Sequence, residues 1–142
     1  MTVELTAFKT VPDFAKGFVK DLRVRWALEE AGILYTQCLI DHDEKLTPAY
    51  RRQQPFAQVP VYKDKDVELF ETGAILLHLA KVSEALAPSD PAGQARTSSW
   101  VCAALSSIEP FVVNVEIAQL FCADEPWADG FGQTALKQLD GR

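Results

Sequence analysis

Two short stretches combine residue types that could bind a small peptide. The first is Gln58-Val59-Pro60-Val61, in which a proline opens an apolar run. Proline cannot donate a ladder hydrogen bond, so it belongs at the start or edge of a strand. If the Val59–Pro60 bond is cis, the N–H and C=O of the preceding residue are left to pair with an extended peptide ligand. The alternative is a simple turn into a strand, since most X–Pro bonds are trans.

The second stretch is Glu71-Thr72, which precedes the helical pattern of Ile75, Leu76 and Leu79. An acid and a hydroxyl in this position can form an ordinary N-cap. They can also form a ligand site, because the N–H groups and the dipole of a helix N-terminus favour a carboxylate. Glu71 could then accept from an ammonium group. Together the two stretches indicate a site for a peptide end that carries both charges.

The elements that must position these stretches can be read from hydropathy patterns. Alternation predicts strands, helical spacing predicts helices, and Gly32 marks a helix end. The predicted order over about the first 83 residues is β-α-β-α-β-β-α: a parallel βαβ unit, then a hairpin, in a mixed sheet with helices packed against it. The predicted strands are 3–8, 34–40, 59–62 and 67–70, with a polar turn at 63–66; the predicted helices are 18–31, 47–54 and one that starts at Thr72.

A connector over 84–90 leads into a second helical region. Asp90-Pro91 is a helix start, with an acid at the N-cap and a proline in the first turn. Helical spacing continues to Ile108, where Pro110 is expected to kink or break the helix, and resumes over 112–121. After Cys122 the pattern predicts a loop and a short polar stretch.

Composition limits the classes of function. The chain has 142 residues, 48% hydrophobic, and a net charge of −6, which argues against binding nucleic acid. Neither a signal peptide nor a long uncharged apolar run is evident, so we expect a cytoplasmic protein without a membrane span. The three cysteines, Cys38, Cys102 and Cys122, form no CxxC pair and are distant in sequence from both histidines. We therefore expect reduced thiols and no metal site.

Several segments resemble the cytosolic glutathione transferases. The segment 54–61 is similar to their "NPxGxVP" motif, 71–75 to their "E-S-x-A-I" helix start, and 22–32 to their first helix. The stretches 90–100 and 108–110 resemble the start of their all-helical domain. The resemblance covers about residues 3–121. It implies an α/β thioredoxin-like, glutathione-binding domain over 1–83, a linker over 84–90, and a partial all-α domain over 91–142.

The resemblance also implies an activity and a binding site. Glutathione would be the co-substrate, and its thiolate would attack a small electrophile. A two-fold homodimer would form between the first domain of one subunit and the helical domain of the other. The implied binding residues are Gln58 and Val59 for the cysteinyl-glycine part, Pro60 as the cis residue, Glu71 and Thr72 for the γ-glutamyl group, and Lys20 for the glycine carboxylate.

Two departures from the family keep a second hypothesis open. The family activates the thiol with a Tyr at the end of the first strand or a Ser or Cys near the first helix, but Phe8 ends this strand and residues 18–21 carry neither group. Lowering a thiol pKa from about 8.5 to about 6.5 requires about 2.7 kcal/mol, which one charge-assisted hydrogen bond nearly supplies. We predict Thr10 as the donor, with a backbone N–H at the helix start as an alternative. The family's helical domain also extends further than residue 142, so the rival hypothesis is a non-catalytic glutathione-binding or protein-interaction module.

Other conspicuous side chains are interpreted as structural. Trp26, Trp100 and Trp127 are expected to pack in cores, as aromatic residues commonly do. His78 is expected to be a structural histidine with a polar partner, and Cys38 to be a core residue within its strand.

Overall fold

A computed structural model describes residues 3–142. Met1 and Thr2, which the predicted first domain included, lie outside the described residues. The chain divides into two compact units, the first ending at Gln94 and the second spanning Ala95–Arg142. Each unit is described by itself below.

The first unit is built on a four-stranded mixed sheet in the order β2-β1-β3-β4. Strand β1 pairs in parallel with β2, and β3 pairs antiparallel with both β1 and β4. The parallel pair is formed over six residues of each strand, from the Val3–Tyr35 pair to the Phe8–Ile40 pair. The strands are β1 (Val3–Phe8), β2 (Tyr35–Ile40), β3 (Val61–Lys63) and β4 (Glu68–Phe70).

Three helices belong to this unit: α1 (Asp21–Glu30), α2 (Pro48–Arg51) and α3 (Thr72–Val82). Alternating strand residues point to opposite faces of the sheet, and each face carries its own core. Residues of α1 and α3 fill one core together with Val3, Leu5 and Tyr62. The other core contains Ile40, Tyr50, Val59 and Val61. The predicted thioredoxin-like arrangement of a mixed sheet between helices is confirmed.

A long helix starts at Pro91 and continues to Phe121 over 31 residues. It comprises α4 (Pro91–Ala103), α5 (Glu109–Glu116) and two π-helical turns, Ala104–Ile108 and Ile117–Phe121. Of the two outcomes predicted for Pro110, a kink or a break, the break is therefore wrong. The π-helical turn ends just before Pro110, which lies in the first turn of α5, where a missing N–H costs little.

By length and composition alone, this helix could cross a membrane. Its most apolar window of 18 residues has a mean hydropathy of 1.5. The expectation that the chain has no membrane span rests on the lack of a long uncharged run, and Glu109 and Glu116 do lie within this helix.

The polar stretch predicted near the end of the chain is instead a helix, α6 (Ala128–Asp140). It packs against α5 and the following π-helical turn. Ala128, Gly132 and Ala135 are its buried residues, and a Cβ placed on Gly132 would lie 3.1 Å from the Cβ of Ala118. Small side chains thus allow the two helical segments to approach closely.

The predicted packing role of the tryptophans is wrong. Trp26, Trp100 and Trp127 are 67%, 77% and 47% exposed. On α1, the smaller Val24 and Leu28 fill the core, and the Trp26 indole N–H donates to Glu30 Oε1 at 3.0 Å. Cys38 is likewise only half-buried, because β2 is an edge strand.

Candidate ligand-binding site

The loop before β3 and the start of α3 line one narrow, open pocket. It holds about 190 Å³ of empty space, its mouth included. All six residues predicted to bind the ligand lie around it, and Gln54 is a seventh that sequence reasoning did not select. The lining residues are Lys20, Gln54, Gln58, Val59, Pro60, Glu71 and Thr72.

The loop over 54–60 is folded around the side chain of Gln54. This side chain is buried, and its Oε1 accepts the Phe56 N–H at 2.8 Å. The Ala57 N–H donates to the Gln54 carbonyl at 3.0 Å, and Ala57 has a φ of 54°, in the left-handed region. The Val59–Pro60 peptide bond is cis, as predicted. The sequence signal for Gln54 was its place at the first position of the 54–61 motif.

Tyr50 holds the same loop from the other side. Helix α2 begins after Thr47, whose Oγ1 accepts the Tyr50 N–H at 3.2 Å. The Tyr50 hydroxyl donates to the Gln58 carbonyl at 2.7 Å. Burial raises the pKa of Tyr50 to about 12, although a side-chain hydrogen bond with Thr6 acts in the opposite direction. The phenol is therefore a proton-bearing donor at neutral pH.

Glu71 occupies an unusual backbone conformation at the start of α3. Its φ and ψ are 68° and 117°, a combination that residues other than glycine rarely adopt. Its side chain is exposed and makes no capping hydrogen bond to the helix. The N-cap alternative is thus wrong for the Glu71 side chain. Thr72, the first residue of the helix, is buried and borders the pocket.

Lys20 reaches the pocket from the start of α1. The next residue, Asp21, is buried, and its Oδ2 lies 3.0 Å from Arg25 Nε. Burial raises the pKa of Asp21, while the Arg25 charge opposes this change. The ion pair stabilises the first turn of α1 and so fixes the backbone position of the neighbouring Lys20.

The end of β1 carries no hydroxyl or thiol at the pocket. The Phe8 ring stacks on His42, with 4.4 Å between ring centroids. Thr10 is exposed and does not line the pocket. The structure therefore does not bring the predicted thiol-activating residue together with the predicted binding residues.

A separate polar cluster lies on the hairpin between β3 and β4. The buried Asp64 accepts from the Tyr62 hydroxyl at 2.9 Å and from the N–H groups of Asp66 and Val67 at 2.8 and 2.9 Å. His78 Nε2 lies 3.1 Å from the same carboxylate, so this histidine has a structural partner, as predicted. Within residues 3–142, no group of three or more His, Cys, Asp or Glu side chains could hold a metal ion.

The mixed sheet, its helices and the pocket beside a cis-proline define a thioredoxin-like ligand-binding domain. Residues 14–81 match the family model of the glutathione S-transferase N-terminal domain. The chain is 31% identical over 97 residues to glutathione S-transferase 3 of Schizosaccharomyces pombe, a match that covers 66% of this chain and 40% of that protein. The resemblance to the glutathione S-transferases that the motifs show is thus confirmed, and residues 14–81 match the N-terminal domain of that family.

Solved structures share this fold. A glutathione transferase from Burkholderia graminis, with two glutathione molecules bound per subunit, matches with a TM-score of 0.80 and 25% identity, over 97% of this chain and 57% of that one. The yeast prion protein Ure2p, in complex with glutathione, matches with a TM-score of 0.76 and 22% identity, over 96% of this chain and 62% of that one. The chain therefore spans less than two thirds of the length of these relatives.

Proposed function

We propose that the first unit binds glutathione in the pocket between the 54–60 loop and the start of α3. The observation that carries the proposal is that Gln58, Val59, Pro60, Glu71 and Thr72, predicted from two separate motifs, line this one pocket. The glutathione bound to the Burkholderia graminis enzyme supports the choice of ligand.

Each part of the tripeptide has a chemically matched partner in this proposal. The γ-glutamyl ammonium group pairs with Glu71, and its carboxylate with Thr72 and the first N–H groups of α3, where the helix dipole favours an anion. The cysteinyl backbone pairs with Val59. Lys20 binds the glycine carboxylate. The small pocket suits one amino-acid end of the ligand, with the remainder lying over Gln58 and Val59.

The reaction we propose is conjugation of glutathione to a small electrophile. The thiol releases its proton to solvent, and the thiolate electron pair forms a new S–C bond at the electrophilic carbon. In a substitution, the bond from that carbon to its leaving group breaks and the group departs with the electron pair; in an addition, the adjacent electron-withdrawing group takes the pair and then a proton from solvent. A donor that stabilises the thiolate lowers the pKa of the thiol and raises its reactive fraction at neutral pH. Because Thr10 does not line the pocket, a backbone N–H at the start of α1 is the donor we favour.

A non-catalytic glutathione-binding module is the second candidate function. Phe8 at the end of β1 and the position of Thr10 away from the pocket both favour it. The experiment is calorimetry with glutathione, alongside a thiol-conjugation assay on the same sample. Binding with turnover supports the enzyme, binding without turnover selects the module, and no binding contradicts both. Glu71→Gln is the matched control, because it removes the charge proposed to hold the ligand and keeps the side-chain size.

We also propose a homodimer, as the resemblance implies, and a cytoplasmic location, as expected from the sequence. The second unit exposes large apolar side chains, among them Trp100, Leu120 and Phe121. Apolar patches of this kind commonly mark association surfaces. A dimer with two-fold symmetry covers such a patch in both subunits and leaves no open surface for further assembly.

A further inference from the structure

Tyr50 makes a short side-chain hydrogen bond to the loop that forms the pocket. Its hydroxyl lies 2.7 Å from the carbonyl oxygen of Gln58, the residue just before the Val59–Pro60 pair. Tyr50 itself is only 6% exposed and does not line the pocket. It therefore contacts the loop from the side opposite the pocket, within the core that also contains Ile40 and Val61.

The position of Tyr50 is itself tightly constrained. Thr47 fixes its backbone N–H, and the ring packs with Ile40, Val59 and Val61 in the second core. The phenol thus connects this core to the binding loop.

We infer that Tyr50 is a positioning residue for the ligand: by holding the Gln58 carbonyl, its hydroxyl fixes the peptide plane between Gln58 and Val59 and hence the direction of the Val59 N–H. This inference rests on the proposed binding of glutathione. A pocket that presents main-chain groups depends on backbone orientation, and a rotated peptide plane would misdirect the donor.

The chain offers a matched control in Tyr62. It is also a buried tyrosine whose hydroxyl donates one hydrogen bond, to Asp64 at 2.9 Å, but it belongs to the other core and does not line the pocket. Tyr50→Phe and Tyr62→Phe each remove one buried hydroxyl. Loss of general stability should affect both variants, whereas loss of loop positioning should affect only the first.

The test is titration calorimetry of both variants and the unsubstituted chain with glutathione. We expect Tyr50→Phe to raise the Kd about three- to tenfold, the effect of one lost hydrogen bond, with unchanged stoichiometry. Tyr62→Phe should leave the Kd unchanged. A variant that is merely partly unfolded would instead show lower stoichiometry with the original Kd, and this result for Tyr50→Phe would overturn the inference.

The remaining outcomes separate this inference from the proposed function. Binding by the unsubstituted chain with the same Kd in Tyr50→Phe would overturn the inference alone. No binding by the unsubstituted chain would overturn both. If Tyr50→Phe does not fold, Thr47→Ala is used instead, because it removes the hydroxyl oxygen that accepts the Tyr50 N–H at 3.2 Å and so holds Tyr50 in place; the Kd should again rise, and an unchanged Kd would contradict the inference.

Discussion

Glu71 is the residue at which stability and binding are expected to oppose each other. Its φ of 68° is costly for a residue with a side chain, and strain of this kind amounts to about 1–3 kcal/mol. Glycine relieves the strain, but its greater freedom in the unfolded chain costs about 0.5–1 kcal/mol. Because the Glu71 side chain is exposed, little packing is lost. We therefore expect Glu71→Gly to stabilise the fold by about 1 kcal/mol, the difference between these two effects.

The same substitution should weaken glutathione binding. Glu71 is proposed to hold the γ-glutamyl ammonium group, and a hydrogen bond to a charged group is worth about 1.5–3 kcal/mol. The Kd should rise by about tenfold or more, since each 1.4 kcal/mol corresponds to about one factor of ten. Thermal unfolding followed by circular dichroism measures the first effect, for which a rise in Tm of about 3 °C is expected. Calorimetry with glutathione measures the second.

Glu71→Gln separates the two effects. It retains a side chain in the strained conformation, so the Tm should not rise, but it removes the charge, so the affinity should fall. A lower Tm for Glu71→Gly would refute the reasoning about strain. An affinity unchanged in both variants would show that Glu71 does not hold the ligand.

Four further predictions follow from other parts of the molecule. Thr72→Ala should weaken glutathione binding by about 1–2 kcal/mol, the scale of a lost hydrogen bond, and unchanged affinity in calorimetry would place the site elsewhere. Burial alone would raise the pKa of Asp64, but the hydrogen bonds from Asp66, Val67 and its side-chain partners lower it to about 2, from an ordinary 3.8. Its ionised form therefore stabilises the fold by about 2 kcal/mol above pH ~4, and this contribution is lost as the pH falls towards 2. Acid unfolding of Asp64→Asn should lack that dependence, and an unchanged pH profile would contradict it. Gly93→Ala should destabilise the fold by about 1–3 kcal/mol in denaturant unfolding, because its Cβ would lie 2.6 Å from the Pro88 Cβ; a neutral effect would mean that this turn adapts. Sedimentation at micromolar concentration should show a dimer, and a monodisperse monomer of 15.7 kDa would refute the proposed association.

The residues that line the pocket could be predicted because each motif is contiguous. The proline of the 58–61 segment predicts a strand start, and the acid-hydroxyl pair at 71–72 predicts a helix start. A hairpin between them brings these two positions to the same end of the sheet. The roles of Tyr50 and Gln54 are different. Their hydrogen bonds to loop backbone depend on how α2 packs on the sheet, and no residue pattern reports a bond between a phenol and a main-chain carbonyl.

In α6, tertiary packing outweighs the local signals for a loop. Asp129-Gly130 and the nearby Gly132 are residue types typical of loops, but Gly132 allows close packing of this helix. Pro110 has a different, local explanation: it follows a π-helical turn and lies in the first turn of α5, where its missing N–H costs little. The exposed Trp26 and Trp100 show that helical spacing alone does not identify the face that is buried.

The most direct test of the central claim is calorimetric titration of the chain with reduced glutathione. We predict saturable binding of one molecule per chain, weakened by Glu71→Gln and by Thr72→Ala but not by Tyr62→Phe. No detectable heat at millimolar glutathione, or equal affinity in all of these variants, would contradict the claim that the pocket between the 54–60 loop and α3 is a glutathione site.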